Sequence, residues 1–202
     1  QVAAIYDLAP SDAVQARIMT ETGTLGMANV LNAAKKAGVG RIVLTSSVVT
    51  IAPVAPGQPA ASEDSWVSDT SVTYIEEKSS GEKHAWQLSG ELGLDMVSVL
   101  PGAVTGPGFN RSTPSVDFIE AFAKGSLRMG APDIGFPFVD VRDVATAHRL
   151  AYEKGEIGQR YIAMNQTVSL YDMGVALSRI DPNIAKPLMK MPGFMTGMVP
   201  YI

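Results

Sequence analysis

Three observations predict an α/β fold in which a parallel sheet carries helices on both faces. Strand-like and helix-like stretches alternate through the first two thirds of the chain, as strand–helix–strand units do. The clearest strand, Arg41-Ile42-Val43-Leu44-Thr45, is a continuous apolar run of the kind buried on both faces. Gly 19 together with Pro 13 demands many turns, more than a plain helical bundle uses.

Gln1 to Tyr6 reads as a short buried strand, ended by Pro10-Ser11-Asp12, which also opens a helix. That helix runs toward Ala37: Leu25, Ala28, Leu31 and Ala34 mark its apolar face, and Lys35-Lys36 before Gly38 is a stop. After the 41–45 strand, residues 46–72 form a Pro- and Ser-rich connection too long for a mere turn, which suggests function. Thr73-Tyr74-Ile75-Glu76 has capping-box spacing and opens a helix through to about Leu92. Asp95 to Leu100 is a strand closed by Pro101-Gly102.

Past Gly106 the pattern loosens. Gly106-Pro107-Gly108 and Pro114 flank a loop, Val116 to Lys124 reads as a short helix, and Phe136 to Val139 as an extended piece. Val141 to Lys154 is a helix, Gly158 to Ala163 a strand, and Ser169-Leu170-Tyr171-Asp172 caps a further helix. The methionines Met189, Met191, Met195 and Met198 read as flexible packing material, because thioethers bind few biological metals well.

Composition narrows the function classes. The 202 residues suffice for one substantial domain, or a domain with a small lobe. At 46% hydrophobic and 18% charged the chain is not a disordered one. A formal charge of -4 and a pI near 5.2 give no general attraction to nucleic acid or an anionic membrane. No apolar run approaches the ~18 residues of a membrane span, and no basic segment precedes an apolar one as in a signal peptide. Zero cysteines exclude disulfides, thiolate metal sites and a catalytic thiol, which fits a cytoplasmic protein.

Ligands of parallel sheets bind beyond the carboxyl ends of the strands, here the loops 6–11, 45–72 and 101–108. Tyr74 and Lys78 are four apart, so on a helix they share a face. An ammonium beside a phenol favours the phenolate and would lower its pKa toward neutrality, making a usable proton donor or acceptor. Ser46 and Ser47 follow the clearest strand, and a serine, a tyrosine and a lysine together can hold and protonate a carbonyl oxygen. On spacing alone, a solvated helical face is the reading to prefer.

Other groups carry plainer readings. His84 is a surface or core-edge residue, His148 packs or bonds a carbonyl, and two distant histidines do not make a zinc site, so no metal is expected. Glu82 reads as an i,i+4 partner of Lys78 or a support for Trp86. Asp140 and Asp143 charge a helix start, and Glu76 and Glu77 do the same for theirs. Arg160 reads as holding, through a carboxylate, either neighbouring loops or the segment missing before residue 1.

Context adds to these readings. Thr45-Ser46-Ser47, then Tyr74-x-x-x-Lys78-x-x-x-Glu82-x-x-x-Trp86, then Pro101-Gly102-x-Val104-x-Gly106-Pro107 resembles the extended short-chain dehydrogenase/reductases. Within that NAD-dependent epimerase/dehydratase superfamily it is similar to the dihydroflavonol reductase and aldehyde reductase branch. Gly23-Thr24-Leu25, Ala33 to Gly38, Phe138 to Ala145 before His148, and Gly158 to Ile162 agree in order, so the resemblance covers residues 1 to about 190.

The resemblance implies a Rossmann-like parallel sheet with a small C-terminal substrate-binding lobe. It divides the chain at 1–107 and 108–202, with 136–154 returning to the Rossmann part. It implies an NAD or NADP cofactor and a small-molecule carbonyl or alcohol substrate, with a homodimer as an option. Ser47 would bind the substrate carbonyl, Tyr74 would be the acid/base, and Lys78 would lower its pKa and hold the nicotinamide ribose. Pro101, Gly102 and Val104 would lie by the nicotinamide, with Thr20 in the substrate pocket and 108–135 lining it.

One departure stands out. The strand, glycine-rich turn and helix that hold a pyrophosphate do not occur, and Gly23-Thr24-Leu25-Gly26 sits inside a helix pattern with no strand before it. Matching Gln1-Val2-Ala3-Ala4 to the family's fourth strand implies an N-terminal truncation of roughly 70 residues and a raw sheet edge. Glu77, where the family has serine, is expected to face away from Tyr74. Two other readings stay open: a cofactor-independent esterase-like site with Ser47 as nucleophile, and an inactive remnant.

Overall fold

The computed structural model describes residues 4–7, 10–55, 57–108 and 113–191. In chain order the elements are α1 (Ala13–Glu21), a π-helical turn (Thr22–Gly26), α2 (Met27–Lys36), β1 (Ile42–Thr45), α3 (Thr73–Leu92) and β2 (Met96–Pro101). Then follow β3 (Ala103–Thr105), α4 (Pro114–Ala123), β4 (Ala131–Pro132), β5 (Gly135–Asp140) and α5 (Val141–Lys154). The described chain closes with β6 (Arg160–Ala163), β7 (Gln166–Ser169), α6 (Leu170–Ile180) and β8 (Lys190–Met191). Two compact units result, one of residues 1–102 with 142–163, the other of 103–141 with 164–202.

The first unit is the expected parallel sheet with helices on both faces. Its strands run in the order β1-β2-β6, all parallel, and the central strand β2 is buried along its whole length. Against one face lie α2 and α3, joined to the sheet by Leu31, Ile42, Leu44, Ala85 and Met96. On the other face Val97, Val99 and Ala163 pack with Ala151 of α5. Because β2 has helices above and below, every residue of Met96–Pro101 must be apolar or fully bonded, and Ser98, the polar exception, donates to a carboxylate.

Asp12 starts the first helix, its carboxylate accepting from the backbone N–H groups of Val14 and Gln15 at 2.9 Å each. One long helix was expected to Ala37; the helix indeed reaches Lys36 but through a π-helical turn. That turn moves Leu25, expected on the apolar face, to 62% exposure, while Leu31 is fully buried. Gly38, at φ 65°, completes the stop by letting Val39 N–H return to the Ala34 carbonyl.

Three further expectations change. Ala4 to Asp7 form no strand and are exposed, because no neighbouring strand among the described residues forms a ladder with them; Gln1–Ala3 of that expected strand fall outside the described residues. The helix at Thr73 lacks its capping box: Val72 is the N-cap, and the Glu76 N–H goes to the Val72 carbonyl. The 41–45 strand alternates buried and half-buried instead of burying both faces throughout, since α5 covers its second face only in part.

In the second unit β3, β5 and β7 form a mixed sheet, with β3–β5 parallel and β5–β7 antiparallel, and β4 pairs with β8. Its core is Phe122, Leu127, Ala131 and Leu170. Ser169 caps α6 as expected, accepting from the Asp172 N–H at 3.0 Å.

Candidate active site

Three consecutive hydroxyl residues leave β1, and each is held by a different side chain. Thr45 Oγ1 lies 2.7 Å from His148 Nε2, and His148 Nδ1 lies 2.8 Å from the Val144 carbonyl. A carbonyl only accepts, so Nδ1–H donates to it and, in the neutral ring, Nε2 accepts from Thr45. Ser46 donates to Glu82 Oε2 at 2.6 Å. Ser47 caps the short turn Val48–Thr50, its Oγ accepting from the Val49 N–H at 3.4 Å, and its hydroxyl lies near enough to the Tyr74 phenol to favour the phenolate.

Tyr74 is 8% exposed, on the first turn of α3, and Lys78 follows one helical turn later with its Nζ 5.7 Å from the Tyr74 ring centroid. The ring of Tyr6 sits 5.2 Å from that of Tyr74, tilted by 43°. Ser47, Tyr74 and Lys78 are therefore brought together. The ladder pairs Thr45 with Val99, so Pro101 and Gly102 leave the sheet at the same carboxyl end as Ser46 and Ser47. The Gly102 N–H itself is taken by the Ala163 carbonyl at 3.1 Å. Thr20 returns its hydroxyl to the Ala16 carbonyl within α1. Val104 belongs to β3 in the second unit, opposite Val139, and of the expected pocket-lining stretch 109–112 lies outside the described residues.

The electrostatics differ from those expected. Burial pushes the Tyr74 phenol above its ordinary value, and the nearby Ser47 hydroxyl offsets this only in part. Lys78 is turned toward a carboxylate: its Nζ is 3.3 Å from Glu77 Oε2. Glu77 was expected to face away and merely charge the helix start. It is instead 3% exposed, and its charge also disfavours ionisation of Tyr74. Burial raises the Glu77 carboxyl above its ordinary value, against the pull of Lys78. The room for it comes from Gly23 in the π-helical turn, where a Cβ would stand 2.5 Å from Glu77 Oε1. A glutamate beside the lysine and a glycine on the preceding helix were the available signals.

Behind this lies a second polar cluster. Glu82, 3% exposed, is not an i,i+4 partner of Lys78; it accepts from Ser46, Ser98, Trp86 Nε1 and the Arg160 guanidinium. Arg160 does hold neighbouring loops, donating to the Glu63 and Ser65 carbonyls and to Thr50 Oγ1. Together they fix the start of the 46–72 connection behind Ser47.

A small cleft opens beside Lys78, lined also by Thr45, Ser46, Gly23 and Glu77. The Lys78 ammonium, a donor, and the Thr45 and Ser46 hydroxyl oxygens, which can still accept, fit the vicinal hydroxyls of a ribose at the carboxyl end of a parallel strand. Gly23 to Gly26 lie in the π-helical turn and are not a phosphate-binding loop, so no residue here is assigned to a pyrophosphate. No group of three or more His, Asp or Glu placed to hold a metal occurs among the described residues. No described helix is long and apolar enough to cross a membrane.

Comparison with known proteins fits this geometry. The chain is 33% identical over 177 residues to cinnamoyl-CoA reductase 1 of Petunia hybrida, covering 84% of this chain and 53% of that protein. It is 34% identical over 184 residues to a putative dihydroflavonol 4-reductase of Synechocystis sp., covering 89% and 52%. The chain thus spans about half the length of these curated relatives. Among solved structures, that of gox2253 superposes with a TM-score of 0.84 at 29% identity, covering 97% of this chain and 58% of that one. The NAD complex of Thermus thermophilus UDP-glucose 4-epimerase does so at 0.69 and 25%, covering 95% and 64%. Residues 1–165 match one family throughout, and the chain belongs to the NAD dependent epimerase/dehydratase family.

Proposed function

We propose that the chain carries the proton-handling site of an NAD(P)-dependent oxidoreductase that interconverts a small carbonyl compound and its alcohol. The carrying observation is the grouping of the buried Ser47 and Tyr74 hydroxyls at the carboxyl end of β1, with Lys78 one turn along α3 and its Nζ 5.7 Å from the Tyr74 ring centroid. The relatives' names, cinnamoyl-CoA reductase and dihydroflavonol 4-reductase, support the reaction class. A nicotinamide cofactor, when bound, supplies or accepts the hydride.

The chain's own residues do the rest. Ser47 and Tyr74 present two hydroxyls from one point, enough to hold a carbonyl oxygen and orient its carbon. As negative charge grows on that oxygen, Tyr74 gives it the phenolic proton, and in the reverse direction takes one from the alcohol. Burial holds that proton on the phenol at neutral pH and makes it a weaker acid than a free tyrosine, so the proton passes only as charge develops on the substrate oxygen. Ser47 stabilises the oxygen while the proton moves, in the manner of an oxyanion donor. Lys78 is the residue for the ribose hydroxyls, and Pro101 and Gly102 border the same end of the sheet.

Tyr74→Phe tests the proposal. Loss of reduced-nicotinamide oxidation by about 10² or more, with NADPH binding retained, is the expected result, since general acid catalysis contributes about 10² to 10⁴. Activity within a few-fold of wild type would remove Tyr74 from the mechanism.

A further inference from the structure

Neighbours in an α-helix point about 100° apart and do not ordinarily face one another. Glu77 and Lys78 nevertheless form an ion pair, with the ammonium swung back to 3.3 Å from Oε2 and both side chains almost out of solvent, 4% and 11% exposed. The contact is one of charge, because Glu77 Oε2 is buried without a hydrogen bond. The carboxylate occupies a built slot. Gly23 leaves the space its Oε1 fills, and the Gly23 carbonyl stands only 3.3 Å from where a Gly81 Cβ would be, so the π-helical turn and α3 are pressed together around it. The slot opens on the cleft beside Lys78.

We propose that Glu77 is a positioning residue that holds the Lys78 ammonium as a buried counter-ion, so that a ligand with vicinal hydroxyls must draw the lysine away to bind. This rests on the reading of Lys78 as a ribose-binding residue. Glu77 thereby sets affinity without touching the ligand. The reason is electrostatic competition: an ammonium already matched to a buried carboxylate gains less from a hydroxyl than a free one does.

Two readouts test it on the whole chain. The first is the rate at which a small amine-reactive ester acetylates Lys78, followed by mass spectrometry without cofactor. The second is the Kd for NADPH from its own fluorescence. Glu77→Gln keeps the shape of the side chain and removes its charge. It should speed acetylation of Lys78 and tighten NADPH binding, each by about three- to tenfold, the scale on which ten is 1.4 kcal/mol. Glu77→Ser, smaller and uncharged, should shift both the same way and serves if the glutamine variant misfolds.

A side chain that only fills its slot predicts no change in either readout, and that result in a folded variant overturns the proposal while leaving the reductase reading intact. Faster acetylation with unchanged NADPH affinity overturns the competition for the ligand. NADPH that binds neither wild type nor variant, with acetylation still faster, overturns the ribose role of Lys78 and the reductase reading with it.

Discussion

Glu82 and Arg160 meet in a two-pronged contact, Nε to Oε1 at 3.0 Å and one terminal nitrogen to Oε2 at 3.1 Å, with side chains 1% and 7% exposed. The Arg160 guanidinium also lies over the Trp66 ring at 3.7 Å. Removing one partner strands the other charge in the interior. Glu82→Ala and Arg160→Ala are each expected to cost about 3–5 kcal/mol, with the double variant costing clearly less than the sum. Urea denaturation of the four proteins measures this; additive costs would mean the two groups do not depend on each other. Arg160→Lys should not rescue, since an ammonium lacks the planar fork.

The Tyr74 phenol should ionise late. Its folded value is raised, so the folded protein keeps the proton after the unfolded chain has lost it. The stability that results is fully present below the ordinary phenol value and falls as pH rises past it. An ultraviolet titration should show a late ionisation step in wild type that Tyr74→Phe lacks. Superimposable curves would contradict the burial argument.

Glu77 has a pH signature of its own. Its folded value is also raised, from an ordinary 4.5, so the folded state favours the protonated carboxyl. Stability is held below 4.5 and declines as pH climbs from there through the raised value. Glu77→Gln should lack that decline. Guanidinium melts of both proteins between pH 4 and pH 7 should therefore diverge in the variant's favour, and parallel curves would count against a costly buried carboxylate.

Two glycines three residues apart should respond oppositely to alanine. Gly90 lies inside α3, with open space where a Cβ would go, so Gly90→Ala should stabilise by up to about 1 kcal/mol. Gly93 ends the helix at φ 61°, where a side chain is strained, so Gly93→Ala should destabilise by about 1 kcal/mol. Thermal midpoints moving the same way would contradict the assignment of the helix end.

The parts of the fold and of the site written in local pattern were legible in the sequence. The apolar run before Ser46 and Ser47, the four-residue spacing of Tyr74 and Lys78, and the Ser169 cap each depend on a few adjacent residues. Arg160 could be read as needing a carboxylate, but its partner, Glu82, is named by the crossing of α3 over β2 and not by spacing. Glu77 was misread because its burial depends on Gly23, 54 positions earlier, leaving a vacancy no linear pattern displays. The pairs β4–β8 and β3–β5 are too short to carry a period and exist through distant partners. Ala4 to Tyr6 show the converse, an apolar run that has strand composition but, among the described residues, no ladder to join.

The π-helical turn decides the rotational phase of everything before it. Met19 and Leu31 are twelve residues apart, and in an unbroken α-helix they would differ by about 120° around the axis. Yet Met19 is 1% exposed and Leu31 0%. A π turn takes up about one residue more than an α turn and so winds the chain back by about 100°, which brings the two side chains nearly into line. Deleting a single residue from Thr22–Gly26 would restore the regular ladder, and α1 would twist by that same angle relative to α2. Met19 would rotate out of the core and Gly23 out of the slot that admits Glu77, so one codon's worth of length couples the packing of the first helix to the charge beside Lys78.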